Sequence, residues 1–311
     1  MLNDVRTAND FMRRTLVTLR PEMNVIDGVT KLLKDNISGA PVADADGNYL
    51  GVFSEKCCMN ALTDTVEIAH AAGMHIETAR EFMTCDLVTL SANMDVFDAI
   101  DHILSKRISG APVLGDQRKF EGIFSEKTAM QVLISAAYDQ LPGTNVGAYM
   151  NTDRNRIIAE DASLLDVAHK FQETPYRRLP VLKGEALAGQ ISRRDVLRAE
   201  HRIANEVVTR ARKERSDDRL RQANASADVA SFMDEHAKTI HRGDDILNVA
   251  QIFLNSPYRR LPVVENNKLI GQVSRRDLLG AAADLLRRPT DRRQPATLYF
   301  SGVAEAMPPS I

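Results

Sequence analysis

The hydrophobic pattern between residues 88 and 133 predicts one unit of mixed helix and strand. A short extended run ending at Leu90 comes first, and a helix through Thr128 to Leu133 comes last. Between them lie an amphipathic stretch, a Pro-Val strand, a polar turn and a strand from Phe120 to Phe124. The apolar stripe of the amphipathic stretch consists of Val96, Phe97, Ile100, Ile103 and Leu104. The pattern predicts the order β-α-β-β-α over about 55 to 60 residues.

This unit occurs four times. In the second half of the chain, the segment TPYRRLPV at Thr174 returns as SPYRRLPV at Ser256, and GQISRRD at Gly189 returns as GQVSRRD at Gly271. Both segments are displaced by 82 residues (271 − 189 = 82). In the first half, SGAPV followed by GVFS or GIFS occurs twice, displaced by 71 residues (112 − 41 = 71). Internal repetition of this kind indicates a fold built from duplicated units.

Repeats of this size bury a sufficient core by packing together, so we predict an α/β (α+β) fold of paired repeats. A mixed-charge insertion after the third repeat predicts a solvated helix that prolongs this repeat, with a partner-docking helix as the alternative. The C-terminal tail contains many Arg and Pro residues and a short apolar run, which predicts an added edge strand, contact with another subunit, or disorder. The predicted boundaries are 4–65, 76–139, 143–202 and 227–287 for repeats 1 to 4, 203–226 for the insertion and 288–311 for the tail.

Each repeat resembles a cystathionine-β-synthase (CBS) domain. The resemblance rests on the Pro-Val strands, on the Gly-x-x-Ser junctions between strand and helix, and on an aromatic-Met pair that opens each repeat. These pairs are Phe11-Met12, Phe82-Met83, Tyr149-Met150 and Phe232-Met233. The resemblance implies two Bateman modules, repeat 1 with repeat 2 and repeat 3 with repeat 4, and two such modules commonly associate into a CBS disc. It also implies a regulatory protein that senses adenine nucleotides, similar in plan to the γ subunit of AMP-activated protein kinase.

The candidate site lies at the strand-to-helix junctions of repeats 3 and 4. Helix N-termini and arginines are suited to phosphates, and a fixed carboxylate is suited to ribose hydroxyls. In CBS domains that bind nucleotides, the Gly-x-x-Ser-x-x-Asp signature holds the ribose, and basic residues before Leu-Pro-Val reach the phosphates. The resemblance therefore implies a nucleotide-binding set of Tyr176, Arg177, Arg178, Ser192, Arg193, Arg194 and Asp195 in repeat 3, and of Tyr258, Arg259, Arg260, Ser274, Arg275, Arg276 and Asp277 in repeat 4.

A purely structural role explains part of this set, because Ser followed three residues later by Asp also caps a helix. Capping needs none of the arginines, however. Repeats 1 and 2 keep the serine but depart elsewhere: Cys57 and Thr128 replace the two aspartates, and Gly39 and Gly110 replace Arg178 and Arg260. We therefore predict that the adenine nucleotide (AMP, ADP or ATP) binds in a cleft of repeats 3 and 4, although Lys56 and Lys127 are able to hold a phosphate.

Composition excludes several classes of function. A net charge of −2 and the absence of Trp argue against a nucleic-acid-coating protein. No apolar stretch of membrane-spanning length is present, so we expect a cytoplasmic protein that does not bind membranes. Three cysteines form no zinc motif, and Cys57 and Cys58 are either small residues at a strand–helix junction or redox-sensitive thiols.

No metal site and no catalytic residues are predicted, and we expect the protein not to be an enzyme. The turn from Asp44 to Asn48 resembles a calcium loop, but its glycine comes one place early, so a hairpin turn is predicted. The nucleotide is expected to act as a regulatory ligand that changes the geometry of an unknown protein target or of a homo-oligomer, expected to be a dimer. The alternatives are a ligand-independent scaffold and a sensor of S-adenosylmethionine or a cyclic dinucleotide; the number of arginines favours phosphates.

Overall fold

The computed structural model describes residues 6–137, 143–213 and 227–287. The helices are α1 (Ala8–Phe11), α2 (Val25–Lys34), α3 (Glu55–Ala71), α4 (Ala79–Phe82), α5 (Val96–Ser105), α6 (Glu126–Ala137), α7 (Leu164–Glu173), α8 (Arg193–Lys213), α9 (Ile246–Leu254) and α10 (Arg275–Arg287). The strands are β1 (Gly39–Ala43), β2 (Tyr49–Ser54), β3 (Leu90–Ser91), β4 (Gly110–Leu114), β5 (Phe120–Ser125), β6 (Ile158–Ala159), β7 (Arg178–Lys183), β8 (Ala186–Ser192), β9 (Arg260–Glu265) and β10 (Lys268–Ser274).

The predicted β-α-β-β-α order is confirmed in each repeat. The Pro-Val strand pairs antiparallel with the strand that follows it and parallel with a short segment that precedes the first helix. In repeats 1 and 4 this segment is a single bridge, Leu19 to Val42 and Ile240 to Val263. The turn from Asp44 to Asn48 is the predicted hairpin turn, since the Asp44 carboxylate accepts the backbone N–H groups of Asp46 and Asn48 at 3.0 and 2.8 Å.

The predicted stripe of repeat 2 lies on α5 and faces the core. Val96, Ile100 and Ile103 are buried, whereas Phe97 is 37% exposed. The Asp95 carboxylate begins this helix by accepting the N–H groups of Phe97 and Asp98.

The sheets pair repeat 1 with repeat 4 and repeat 2 with repeat 3, so the expected pairing of neighbours along the chain is wrong. The opening segment of each repeat crosses to its partner: Arg13 bridges to Gln272 in repeat 4, and Asp234 bridges back to Val52 in repeat 1. Repeats 2 and 3 exchange their opening segments in the same way, through Thr84–Gln190 and Ile123–Asn151. Because the opening segments satisfy the backbone groups of the partner's strand, their crossing determines the pairing.

Helices join the two sheet pairs into a closed ring within one chain. Helix α3 of repeat 1 packs on α7 and α8 of repeat 3, and α6 of repeat 2 packs on α9 and α10 of repeat 4. The order around the ring is therefore repeats 1, 3, 2 and 4, with helix and sheet contacts alternating. Repeats 3 and 4 share no sheet contact among the described residues, and the sheet contacts form clefts between repeats 1 and 4 and between repeats 2 and 3.

Helix α8 continues past repeat 3 to Lys213, so the first part of the predicted insertion prolongs this helix. Ile203 and Ala204 in this part are buried against repeats 1 and 3. The predictions made for residues 214–226 and for the tail fall outside the described residues.

The helix contact between repeats 1 and 3 contains a buried polar cluster. Glu200 on α8 is fully buried, and its Oε1 lies 2.8 Å from the Thr63 hydroxyl. The same hydroxyl also lies 2.8 Å from the Met59 carbonyl and accepts the Gln172 side-chain amide at 3.0 Å. The Thr63 hydroxyl has one proton, which it donates either to the Met59 carbonyl or to Glu200. Both contacts are therefore hydrogen bonds only if Glu200 is protonated and donates to the Thr63 oxygen. Burial raises the pKa of Glu200 to about 8, in agreement with a protonated acid.

We expect Glu200→Gln to raise the free energy of unfolding at neutral pH. In the folded protein Glu200 holds a proton that the unfolded chain releases above its ordinary pKa of 4.5. Its contribution is therefore present below pH 4.5 and is lost as pH rises to 8, at up to about 1.4 kcal/mol per pH unit. Urea unfolding between pH 5 and 8 should show this decline for the parent and a flatter profile for Glu200→Gln. The exposed Glu206→Gln on the same helix serves as control; equal slopes for all three proteins would contradict the assignment.

Engineered disulfides test the sheet pairing. Asn48 bridges to Lys268 and Lys119 bridges to Ala186, both within reach of a disulfide. In a Cys85→Ser background, we expect Asn48→Cys/Lys268→Cys and Lys119→Cys/Ala186→Cys to form intramolecular disulfides, visible as faster migration on non-reducing gels. The combination Asn48→Cys/Ala186→Cys should not cross-link. A cross-link in this combination alone would contradict the described pairing.

Candidate ligand-binding site

A cavity of about 600 Å³ lies between repeats 1 and 4, with one wall from repeat 3. Repeat 1 contributes Ser38, Gly39, Val52, Ser54, Lys56, Cys57 and Asn60. Repeat 3 contributes Glu173, Thr174, Pro175, Arg177 and Arg193, and repeat 4 contributes Phe232, Met233, Asp234, Pro257, Tyr258, Arg259, Arg260 and Gln272. Of the fourteen predicted residues, the five that line this cavity are Arg177, Arg193, Tyr258, Arg259 and Arg260.

Arg260 is the first residue of β9, and its guanidinium reaches into repeat 1. There it donates to the Ser38 hydroxyl at 3.1 Å and to the Gly39 carbonyl at 3.2 Å. Arg178 makes the corresponding contact between repeats 3 and 2, donating to the Gly110 carbonyl at 3.1 Å. The glycines that replace arginine in repeats 1 and 2 are therefore the acceptors for the arginines of the paired repeats. A Cβ at Gly39 would lie 3.1 Å from the Phe53 carbonyl oxygen, so a larger residue there requires the paired strands to move apart by a few tenths of an ångström.

Two buried glutamates that were not predicted hold the arginines across the helix contacts. Glu55 accepts from Arg177 at 3.1 Å and from Arg194 at 3.2 Å, both from repeat 3. In the other half of the ring, Glu126 accepts from Arg259 at 3.2 Å and forms an ion pair with Arg276 at 3.4 Å. Both glutamates occur in a Ser-Glu-Lys sequence, and the two copies are 71 residues apart (126 − 55 = 71). This repetition was a sequence signal from which the two glutamates were identifiable. Both glutamates stand where repeats 3 and 4 have Arg193 and Arg275.

Arg177, Arg178 and Arg260 each lie close enough to Arg259 to be repelled by its charge. Burial lowers the pKa of Arg178 and of Arg260 to about 10, and repulsion from Arg259 is the next cause. Burial also lowers the pKa of Arg177. All of these groups keep their charge at neutral pH, so positive charge is concentrated beside the cavity.

Arg193 and Arg275 each hold the end of a helix. Each is buried and donates to two backbone carbonyls at the C-terminal end of the preceding helix of its own repeat, Phe171 and Thr174 for Arg193 at 3.2 and 3.0 Å. Arg275 makes the same contacts with Phe253 and Ser256, both at 3.1 Å. These carbonyls are unpaired at a helix end, and a cation there also interacts favourably with the helix dipole.

The predicted serine–aspartate pairs form the helix caps that were the structural alternative. Asp195 Oδ2 accepts the Ser192 backbone N–H at 2.8 Å and its hydroxyl at 2.7 Å. Asp277 Oδ2 makes the corresponding contacts with Ser274 at 3.0 and 2.5 Å. The other oxygen of Asp277 accepts from Arg13 Nε at 2.9 Å. These pairs do not line the described cavity.

The two predicted tyrosines bind carboxylates near the clefts. The Tyr258 hydroxyl donates to Asp234 Oδ2 at 3.1 Å, and the Tyr176 hydroxyl donates to Asp153. Asp234 lines the same cavity as Ser54 and Cys57. Cys57 is the residue that replaces the signature aspartate in repeat 1. A carboxylate is therefore present in this cleft, but repeat 4 supplies it.

The cysteines differ in their surroundings. Cys57 lines the cavity with its Sγ 3.2 Å from the Ser54 hydroxyl oxygen, whereas Cys58 is fully buried. Burial raises the pKa of Cys58 well above its ordinary value, which disfavours the thiolate.

Among residues 6–137, 143–213 and 227–287, no three His, Cys, Asp or Glu side chains are grouped as a metal site would require. Within the same residues, no helix combines the length and hydrophobicity needed to cross a membrane.

The chain belongs to the CBS domain family, whose model matches residues 8–64, 79–135, 146–202 and 228–284. It is similar to the uncharacterized protein MJ1225 of Methanocaldococcus jannaschii, with 24% identity over 289 residues that cover 88% of this chain and 98% of the relative. The solved structure of MJ1225, described as a candidate archaeal homologue of γ-AMPK, has a TM-score of 0.39 at 21% identity and covers 88% of this chain and 99% of its own.

Two further similarities cover only part of the chain. An inosine-5'-monophosphate dehydrogenase of Halobacterium salinarum is 25% identical over 176 residues, which are 53% of this chain and 33% of the dehydrogenase. The structure of CBSX2 in complex with AMP has a TM-score of 0.37 at 28% identity and covers 40% of this chain and 97% of that one. The chain therefore matches a minor part of the dehydrogenase.

We expect Glu55→Gln to destabilise the protein by about 3 kcal/mol, because it leaves the half-buried Arg177 and Arg194 without the counter-charge of a buried glutamate. Urea unfolding at one pH measures the change. Glu67→Gln, on the exposed side of the same helix, should change stability by less than about 0.5 kcal/mol. Equal effects of the two substitutions would show that the buried ion pairs do not support the ring.

Proposed function

We propose that this chain is a regulatory protein that binds an adenine nucleotide (AMP, ADP or ATP) in the cavity between repeats 1 and 4. The observation that carries the proposal is the excess of positive charge at this cavity. Its cations are Lys56, Arg177, Arg193, Arg259 and Arg260, whereas its carboxylates are Glu173 and Asp234. Neighbouring cations that repel one another are stabilised by a bound anion, and arginines suit phosphate geometry.

The remaining walls suit the other parts of a nucleotide. Val52, Phe232, Met233 and Pro257 give an apolar surface for the base. Asp234 supplies a carboxylate acceptor for ribose hydroxyls, and Ser54 is a further polar group. The volume of about 600 Å³ lies within the range of small-molecule sites. The predicted ribose residues Asp195 and Asp277 belong to two neighbouring clefts of the ring, and of the two we propose Asp195 as the acceptor for a ribose there, since Arg13 occupies Asp277.

The same arginines connect binding to the geometry of the ring. Arg260 joins repeat 4 to repeat 1, and Arg177 joins repeat 3 to repeat 1 through Glu55. A phosphate competes with Ser38, Gly39 and Glu55 for these arginines. It therefore stabilises one arrangement of the repeats relative to another, as a regulatory ligand must. We propose a regulatory rather than a catalytic role for this site. The protein target, the homodimer and the cytoplasmic location stay predictions.

A thermal-shift panel of AMP, ADP, ATP, S-adenosylmethionine and cyclic dinucleotides tests the class of ligand. At about 100 times its dissociation constant, a ligand stabilises the protein by about 2.7 kcal/mol. We expect adenine nucleotides to raise the melting temperature. No response to any of these ligands would support a ligand-independent scaffold instead.

We expect Arg260→Ala to weaken AMP binding about ten- to a hundred-fold, the equivalent of losing a charge-assisted hydrogen bond. Adenosine affinity should change little, because the proposed contact is with phosphate. Calorimetric titration of both ligands measures the difference. Arg242→Ala is a matched control, since Arg242 is an exposed arginine of the same repeat paired with Glu265. Equal losses of AMP and adenosine affinity would refute the phosphate assignment.

A further inference from the structure

The two serine–aspartate clefts of repeats 3 and 4 are bordered by different residues of the partner repeat. Arg13 and Thr84 occupy the same place in the fold, each immediately after the aromatic-Met pair that opens its repeat. Arg13 exchanges two backbone hydrogen bonds of 2.9 Å with Gln272, and Thr84 exchanges two of the same length with Gln190. The side chain at this position therefore projects from equivalent backbone in both clefts, but it is a long cation in one and a short hydroxyl in the other.

This difference determines whether an aspartate oxygen is available. In repeat 4, Ser274 occupies Oδ2 of Asp277, and Arg13 occupies Oδ1 at 2.9 Å. In repeat 3, Ser192 occupies Oδ2 of Asp195 in the same way. Oδ1 of Asp195 has no such partner in the described part of the chain: its nearest cation is Arg198, at 3.9 Å and outside hydrogen-bond distance.

The two aspartates differ also in Arg198, which lies beside Asp195 where repeat 4 has Gly280, but two other features of their surroundings are alike. The carboxylate of Asp277 acts on the pKa of Arg260, and that of Asp195 acts on the pKa of Arg178, so each cleft keeps an arginine near its acid. The Asp277 side chain is 11% exposed and that of Asp195 is 18% exposed. The contact with Arg13 is thus the main difference at the acceptor itself.

We propose that Arg13 closes the repeat 4 cleft to ribose-bearing ligands and that Thr84 leaves the repeat 3 cleft open. A hydroxyl that approaches Asp277 must displace a charge-assisted hydrogen bond, which is about twice as strong as a neutral one. At Asp195 the same hydroxyl meets a free acceptor. The inference rests on the proposed function, because it assumes that the chain binds adenine nucleosides or nucleotides.

Exchange of the two residues tests the proposal, with adenosine as the probe because it lacks phosphate. Calorimetry on the full chain should show that Arg13→Thr adds one adenosine site per chain, or strengthens binding at that cleft about two- to five-fold, because the Arg13 side chain is largely exposed. Asp277→Asn introduced into Arg13→Thr should remove the gain. Thr84→Arg should weaken binding at the repeat 3 cleft by a similar factor.

Arg14→Thr is the matched control, because it removes the same charge one residue away. Its side chain bonds to Asn9 and not to the cleft, so adenosine binding should not change. If the parent binds adenosine and Arg13→Thr binds it with the same number of sites and the same affinity, or more weakly, the closing role of Arg13 is overturned. If neither adenosine nor AMP binds to any of these proteins, the proposed function itself fails and the inference fails with it.

Discussion

The ring depends on two buried glutamates that hold arginines from another repeat. Glu55 and Glu126 each form ion pairs with two arginines across a helix contact, and Arg260 and Arg178 donate across the sheet contacts. The arginines outnumber these carboxylates, so the contacts that close the ring also leave positive charge beside the cavity. Because the same side chains support the fold and face the proposed ligand, binding of an anion acts directly on the contacts between repeats.

The two halves of the ring are related but not identical. The polar cluster of Thr63, Gln172 and Glu200 between repeats 1 and 3 is replaced by Ile134, Leu254 and Ala282 between repeats 2 and 4. If repeat 3 packed on repeat 2 through these helices, Glu200 would meet Ile134 instead of the Thr63 hydroxyl. A buried acid without a hydrogen-bond partner is costly. We infer that this polar cluster favours the observed order of repeats, in addition to the crossing of the opening segments.

The sequence predicted the repeats, their internal order, the hairpin turn at Asp44 and the helix-capping role of the serines, because periodicity and local hydrogen bonding determine these features. It did not predict the partner of each repeat, since opening segments of similar sequence fit any of the four sheets. For the same reason Gly39 was interpreted as a lost phosphate donor, although its carbonyl accepts from Arg260 of the partner. The roles of Glu55 and Arg13 also depend on contacts between distant repeats, which spacing along one repeat does not contain.

Hydrogen exchange of the full chain with and without AMP tests the central claim most directly, because it locates the ligand. Binding in the described cavity should slow amide exchange in peptides that cover residues 38–42, 52–60, 232–234 and 257–260, which carry its walls from repeats 1 and 4. Binding of AMP without any change in these peptides would contradict the account.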